Sequence, residues 1–328
     1  MNLYISHMSA LRYWRQQGGI GNSRRITIRT LSKAITSVKD ARLLNPKEIG
    51  LIMTENAPLD VLVGCKGERR YAKDFHPHAW QTELPTSSFC KIAPRLYVSS
   101  PEFVYVQLAN QLSLVELVQL GNELCGGYYL LATSGYEKRE QKKQLTTRYK
   151  LEKFVTQIGD VRGARKALRA LRWVTDHCNS PMETNAMLAL CLPTRMGGWS
   201  LRIPVVNKSV RASKRMQRYV DGAKYTPDFT WTREVDGKII RITGEYDSHE
   251  FHDEEARAEY TRIRRNNMKT MGYLVTSINK SQMADAWKLQ YPARQIARDL
   301  GLYRPVPDAK MLARQNKLLR LLSRESFR

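Results

Sequence analysis

Three acidic residues stand at the ends of two strand-like runs and carry the clearest chemistry in this sequence. Asp228 follows Pro227 where the first run begins, and Glu245 and Asp247 close the second run. Carboxylate oxygens are the ligands that hard divalent cations such as Mg²⁺ prefer. A cation held by them lowers the pKa of an attacking water and offsets charge that develops on a phosphate. The three acids therefore predict a metal site, provided that the chain brings them together.

The Asp236-Gly237 pair between the two runs determines how they meet. Such a pair predicts a two-residue type I′ turn, which sets the register of the flanking strands. Val235 then pairs with Lys238, and Asp228 faces Glu245 with Cβ atoms about 5 Å apart. Side chains alternate along a strand, so the register predicts one acidic surface and one core face. The acid face carries Asp228, Thr230, Thr232, Arg241, Thr243, Glu245 and Asp247, and the core face carries Phe229, Trp231, Ile240 and Ile242.

Carboxylates placed side by side need a compensating group. Two of them about 4.5 Å apart repel by roughly 3–4 kcal/mol at an effective dielectric constant near 20. A cation, a shared proton or an arginine can hold them, and Mg²⁺ (or Mn²⁺) is the cofactor that we expect. The alternative is that the acids only pair with Arg241 or nearby lysines on a solvated sheet face.

Pro227-Asp228 followed by Glu245-x-Asp247 resembles the PD-(D/E)xK nuclease superfamily, and more narrowly its branch of very-short-patch-repair-like endonucleases. The resemblance covers about residues 178–280. It implies a restriction-endonuclease-like core of helix, strand, hairpin, helix and strand, in which Asp228, Glu245 and Asp247 bind a metal and phosphodiester bonds are hydrolysed. Asp247 stands where this superfamily usually has lysine. Lys269, or the cluster of Arg262, Arg264 and Arg265, could supply the missing positive charge.

Two further catalytic candidates come from the same resemblance. Glu183 matches the acid that such folds bring to the metal from the preceding helix, although Ser180 and Glu183 also have the spacing of a capping box. His252 lies where the repair-endonuclease branch places a histidine general base, and a near-neutral pKa suits that role. His249 is the neighbouring candidate, and either histidine could instead be an ordinary polar loop residue.

Positive charge dominates the chain and predicts a polyanionic partner. The formal net charge is +23, which is best tolerated by a protein that binds nucleic acid. Residues 207–224 hold six Lys/Arg against one acid. We expect DNA contacts there and on the helix after the hairpin, at Arg211, Lys214, Arg215, Arg262, Arg264 and Arg265. Backbone contacts alone do not distinguish DNA from RNA, and a merely solubilising surface is the alternative.

The pattern of apolar residues predicts an α/β protein with more than one domain. We expect a mixed α/β domain over 1–150, a nuclease-like domain over 151–305 and a basic helix over 306–328, with the boundary between about 145 and 178. The first domain is predicted to have helix over 26–51, strands at 59–63 and 96–99, and a helix starting at Pro101 whose apolar stripe reaches Leu120. The second is predicted to have helices at 182–192 and 253–271, strands at 200–206 and 273–278, and a hairpin at 226–247.

The first half of the chain also resembles a family. Ser-Ala-Leu-Arg-Tyr-Trp at 9–14, the strand at 59–63 and Leu96-Tyr-Val-Ser-Ser-Pro-Glu102 are similar to proteins related to abortive-infection antitoxins of the AbiEi type. The resemblance implies a DNA-binding module beside an α/β domain, a role in phage defence, and a protein partner from a toxin–antitoxin or defence operon. The sequence shows no clear helix-turn-helix.

Cysteine and apolar content exclude several classes. The five cysteines show no zinc spacing, so we expect reduced and mostly buried thiols. No apolar run approaches the length of a bilayer span, and we expect a cytoplasmic protein without membrane contact. Three functions remain. The first is a metal-dependent DNA endonuclease in phage defence or repair, the second is a non-catalytic DNA-binding regulator or antitoxin-like protein that keeps the nuclease fold, and the third, ranked last, is an RNA-directed enzyme.

Overall fold

The computed structural model describes residues 1–19, 23–31, 33–51, 56–131, 137–140, 144–247 and 255–323. The chain divides into two compact units, Met1–Asp176 and His177–Phe327. This division lies inside the predicted region of 145–178 but later than residue 150. Helical residues after 150 stay with the first unit because Phe154 packs against Phe103, with ring centroids 5.9 Å apart.

The first unit is built on a six-stranded mixed sheet. Its strand order is β2-β5-β6-β1-β3-β4, with β1 parallel to β6 and β3 parallel to β4, and β7 and β8 pair separately. Its strands are β1 (Leu3–Ile5), β2 (Arg24–Ile26), β3 (Leu59–Val63), β4 (Phe75–Ala79), β5 (Phe89–Ala93), β6 (Leu96–Ser99), β7 (Tyr128–Leu131) and β8 (Glu137–Glu140). Its helices are α1 (His7–Gln17), α2 (Val38–Leu43), α3 (Pro101–Leu108), α4 (Leu114–Leu124), α5 (Arg148–Gln157) and α6 (Ala164–Ala170).

Helix caps explain where the predictions for this unit hold and where they fail. The strands at 59–63 and 96–99 are confirmed, and α3 begins at Pro101 because the Ser100 side chain accepts a hydrogen bond from the backbone of Phe103. The single helix expected to run to Leu120 is wrong. Ser113 and Glu116 form a capping box that starts a second helix, α4. The helix expected over 26–51 is also wrong, since the only helical elements in the described part of that stretch are α2 and a 3-10 turn.

A buried polar network joins α1 to the sheet of the first unit. The rings of His7 and His78 stack with centroids 3.8 Å apart, and His78 Nε2 lies 2.8 Å from Asp60 Oδ1. Burial, together with His78, lowers the pKa of His7 to about 3. His7 is therefore neutral near pH 7 and acts as a packed core group.

The second unit is built on a four-stranded mixed sheet. Its order is β14-β13-β12-β9, with β13 parallel to β14 and the other pairs antiparallel, and β10 pairs with β11 alone. Its strands are β9 (Val205–Val206), β10 (Val210–Arg211), β11 (Lys224–Tyr225), β12 (Phe229–Val235), β13 (Lys238–Asp247) and β14 (Tyr273–Asn279). Its helices are α7 (Pro181–Cys191), α8 (Glu255–Thr270), α9 (Lys280–Ala284), α10 (Ala286–Asp299) and α11 (Ala309–Ser323).

Most elements predicted for this unit are confirmed to within a few residues, but the strand expected over 200–206 shrinks to β9. The backbone N–H groups of Trp199 and Leu201 donate to the carbonyls of Ala189 and Leu190 near the end of α7. Helix ends leave such carbonyls without partners inside the helix. This segment therefore completes α7, and its backbone is not free to extend the sheet.

The basic C-terminal helix is part of the second unit. α11 packs against α7, and Asn185 Nδ2 donates to the carbonyl of Leu322 over 2.9 Å. A Cβ atom on Gly197 would lie 2.4 Å from the carbonyl oxygen of Arg314, so this close approach requires glycine. The described chain is thus mixed α/β in two units, and the described part of the expected third segment, residues 306–323, belongs to the second unit.

Two simpler expectations can be compared with the structure. All five cysteines are free thiols, and all except the half-buried Cys65 are buried, which confirms the prediction. Within the described ranges no helix combines the length and the apolar character needed to cross a bilayer.

Candidate functional site

The β12–β13 hairpin has the predicted register. Asp236 and Gly237 have φ angles of 50° and 71°, and a type I′ turn requires positive values at both positions. Val235 pairs with Lys238 and Phe229 with Gly244. Asp228 directly precedes Phe229, so the same register places it next to Glu245.

The core face of the hairpin is packed as expected. Phe229, Trp231 and Ile242 are buried, whereas Ile240, near the turn, is only half-buried. A Cβ atom on Gly244 would lie 3.1 Å from the ring of Phe229 and 3.3 Å from the ring of Trp231. Glycine at this position lets the two aromatic rings approach the backbone of β13 closely.

The end of the acid face that carries Glu245 is covered, whereas Thr232 and Arg241 near the turn are exposed. Thr243 is fully buried and Glu245 is only 8% exposed. Met268 of α8 packs in an apolar cluster with Val275 of β14, which brings α8 over this face. The packing of α8 therefore shields part of this polar strand face from solvent.

Glu245 is the electrostatic centre of the site. Its pKa is raised to about 8, mainly by burial, with further upward contributions from the nearby Asp228 and, more weakly, from Glu183. Arg264 and Arg265 act in the opposite direction but are outweighed. Glu183, Asp228 and Glu245 are thus close enough to interact, although they lie on α7, at the start of β12 and on β13.

Arginines of α8 bind the acids directly. Arg264 Nη2 lies 3.1 Å from Glu245 Oε2, and Arg265 Nη2 lies 2.9 Å from Asp247 Oδ2. Arg264 also donates to the carbonyl of Thr226. Two of the arginines predicted to contact DNA therefore face the acid face. Arg262 instead pairs with the exposed Glu259, and Lys269 is exposed.

Hydrogen bonds orient the other carboxylates. Asp228 Oδ2 accepts from the backbone N–H of Tyr246 over 2.7 Å. Glu183 Oε2 accepts from Asn179 N over 2.9 Å and from Asn207 Nδ2 over 2.7 Å. The Ser180 side chain caps α7 as predicted, but the carboxylate of Glu183 returns to Asn179, so the expected capping box is only half formed.

Asn207 is a site residue that the sequence did not reveal. Its side chain holds Glu183 on α7, and its backbone N–H donates to the carbonyl of Asp228 over 3.0 Å. Its φ of 48° lies in the left-handed region, which Asn tolerates better than most residues. An Asn directly after the Val-Val pair of β9 was the only signal available.

The side chains of the site offer oxygen donors, but the described residues do not gather them into a metal centre. In the described part of the chain, no group of three or more His, Cys, Asp or Glu side chains is arranged to hold a metal ion. The hydroxyl oxygens of Thr230 and Thr243 are buried beside the acids and have no hydrogen-bond partner among the described residues. Buried polar atoms of this kind are normally served by water or an ion. Oxygen donors around a carboxylate with a raised pKa fit Mg²⁺ or Mn²⁺.

Other predicted site residues lie at the edge of this group. Arg211, Lys214 and Arg215 are exposed on the segment around β10, which Ala212 and Val220 anchor to the apolar cluster that contains Met268. A cavity of about 440 Å³ lies between residues 221–226, which include β11, and α8, and Arg264 forms part of its wall. His249 and His252 fall outside the described residues.

Comparisons of this chain with known protein families, with curated proteins and with solved structures found no match.

Proposed function

We propose that the second unit is a metal-dependent nuclease domain with a restriction-endonuclease-like core, and that it hydrolyses phosphodiester bonds in DNA. The observation that carries the proposal is the hairpin register, which sets Asp228 beside the buried Glu245, and Glu183 also interacts with Glu245. The order of α7, β9, the hairpin, α8 and β14 matches the order that the resemblance implies. The exposed cations around β10 supply a phosphate-binding edge.

The chain's own residues divide the work. Asp228, Glu245 and Asp247 would hold Mg²⁺, with Glu183 as a further acid, and the bound ion would activate water and stabilise charge on the phosphate. Asn207 and the backbone of Tyr246 orient Glu183 and Asp228. Arg265 orients Asp247. Such supporting hydrogen bonds fix ligand geometry before the substrate arrives.

Arg264 replaces the lysine that is missing from β13. Its guanidinium already reaches Glu245 and lies beside the cavity where a phosphate would approach. Positive charge at that point stabilises the charge that develops on the phosphate. We therefore assign it the charge-stabilising role.

Arg264→Gln should lower the single-turnover cleavage rate at saturating protein by about a hundredfold, because it removes that stabilisation. The rate is measured on supercoiled plasmid with protein in excess, so that weaker DNA binding does not enter it. Arg262→Gln, on the same helix but paired with Glu259, should stay within about twofold of the parent rate. Equal losses in the two variants would remove Arg264 from the mechanism.

Incubation of supercoiled plasmid with Mg²⁺, with Mn²⁺ or with EDTA tests the proposed activity. We expect conversion to nicked or linear DNA with either metal and none with EDTA. If the purified protein is folded and binds metal but leaves the plasmid uncut, the nuclease function is excluded.

One observation favours a second function. Arg264 and Arg265 already pair with Glu245 and Asp247, an arrangement that also suits a protein that has kept the fold and lost the reaction. Such a DNA-binding regulator or antitoxin-like protein would bind DNA with a steep salt dependence. Asp228→Ala and Glu245→Ala would leave the affinity of this regulator for DNA unchanged or raise it. Cleavage of plasmid DNA by the parent protein distinguishes the two functions, because only the nuclease cuts.

A further inference from the structure

An exposed stripe of aromatic and arginine side chains runs along α10. Trp287, Tyr291, Arg294 and Arg298 follow one another at helical spacing and therefore share one side of the helix. Trp287 is 58% exposed and Tyr291 is 73% exposed. Large aromatic side chains are usually much more buried than this, and contiguous exposed apolar area marks interaction sites.

The stripe forms one wall of a groove of about 700 Å³. The segment after α10 forms the other wall, with Tyr303 83% exposed and Val306 58% exposed. Arg304 fixes this wall, because its guanidinium donates to the carbonyls of Trp199 and Ser200 over 2.9 and 2.7 Å. The groove is therefore preformed, which lowers the entropic cost of binding.

The chemistry of the groove selects its occupant. Among the described residues that line it, none is acidic, and Arg294 and Arg298 add positive charge beside the aromatic rings. Flat rings interleaved with guanidinium groups suit bases that stack and phosphates that follow them. Bases in a duplex are already stacked on one another, so their faces are available only in unpaired strands.

We propose that this groove binds unpaired nucleotides of single-stranded DNA, with bases stacked on Trp287, Tyr291 and Tyr303 and phosphates near Arg294 and Arg298. The choice of DNA over RNA rests on the proposed nuclease function, since stacking itself does not separate the two. The groove is distinct from the acidic site on β12 and β13, and it would hold an unpaired strand of the DNA on which the nuclease site acts.

Binding of a fluorescein-labelled oligothymidine to the full chain, measured by anisotropy in EDTA, tests the proposal without any cleavage step. Trp287→Ala and Tyr291→Ala should each weaken binding by about tenfold, and the double variant by about a hundredfold. Trp287→Phe keeps an aromatic ring and should stay within about threefold. Tyr149→Ala, which removes a ring that is 71% exposed on α5, serves as the matched control and should not change the affinity.

Intrinsic fluorescence gives an independent readout. The other described tryptophans are buried or half-buried, so quenching by oligothymidine should be present in the parent protein and absent in Trp287→Phe. Parent-like affinity of the Trp287→Ala/Tyr291→Ala protein, or a groove that binds only a protein or duplex DNA, would overturn the proposal. Loss of oligothymidine binding in that variant, in a protein that cuts no plasmid, would support the groove and reject only the nuclease function.

Discussion

Asp228→Asn should slow cleavage of supercoiled plasmid by about a thousandfold, which corresponds to about 4 kcal/mol of transition-state stabilisation. The change keeps the size of the side chain, and an amide oxygen can still accept the hydrogen bond from Tyr246 N. It removes a negative charge at the point where β12 meets Glu245. Because a hard cation is held mainly by charged oxygen ligands, the loss should appear in metal affinity as well as in the rate.

The hairpin offers a matched control for this experiment. Asp236→Asn makes the same chemical change at the other end of the same hairpin, and Asn-Gly is as well suited as Asp-Gly to a type I′ turn. We expect that variant to cleave at the parent rate. If Asp228→Asn also cleaves at the parent rate with Mg²⁺, or if both variants are equally slow, the acids of the hairpin do not form the catalytic site.

Glu245→Gln should stabilise the metal-free protein at pH 9, by an amount on the order of a few kcal/mol. The pKa of Glu245 is raised from 4.5 to about 8 in the folded protein. Between these pH values the folded state keeps a proton that the unfolded chain has lost, so the stability of the parent protein falls as the pH rises through this window. Glutamine does not titrate in this window, so the stability of the variant does not fall in the same way. The measurement is thermal or urea unfolding in EDTA from pH 5 to pH 9.

Mg²⁺ should reverse the order of stability of the parent protein and Glu245→Gln at pH 9. Mg²⁺ binds only the folded state and should raise the unfolding temperature of the parent protein, more strongly at pH 9 than at pH 6, because Glu245 must lose its proton to become a ligand. Glu245→Gln should lose most of this gain. Glu234→Gln, at an exposed position on β12, should follow the parent protein in both experiments. If the stabilities of the parent and Glu245→Gln proteins change with pH in the same way, the carboxylate of Glu245 does not have the raised pKa that its burial and its coupling to Asp228 require.

Local rules account for what could be predicted from the sequence alone. The φ preferences of Asp236 and Gly237 define one turn, and the turn alone determines that Asp228 meets Glu245. Ser100 and Ser180 cap their helices through bonds that span three residues, which a short sequence pattern can reveal. The burial of four cysteines likewise follows from residue type and spacing. The Ser-x-x-Glu spacing of the capping box at Ser113 was also present in the sequence, but the apolar stripe that continues past it indicated one long helix.

Contacts between distant parts of the chain account for the rest. Only the packing of α8, through Met268 and the apolar cluster around it, turns Arg264 and Arg265 from predicted DNA contacts into partners of Glu245 and Asp247. Likewise, Asn207 reaches Glu183 because β9 joins the sheet beside Asp228, and the aromatic groove exists because Arg304 pins the chain after α10. By itself the sequence determined which acids meet. The tertiary structure decided their burial and their partners, because both depend on which distant surface covers them.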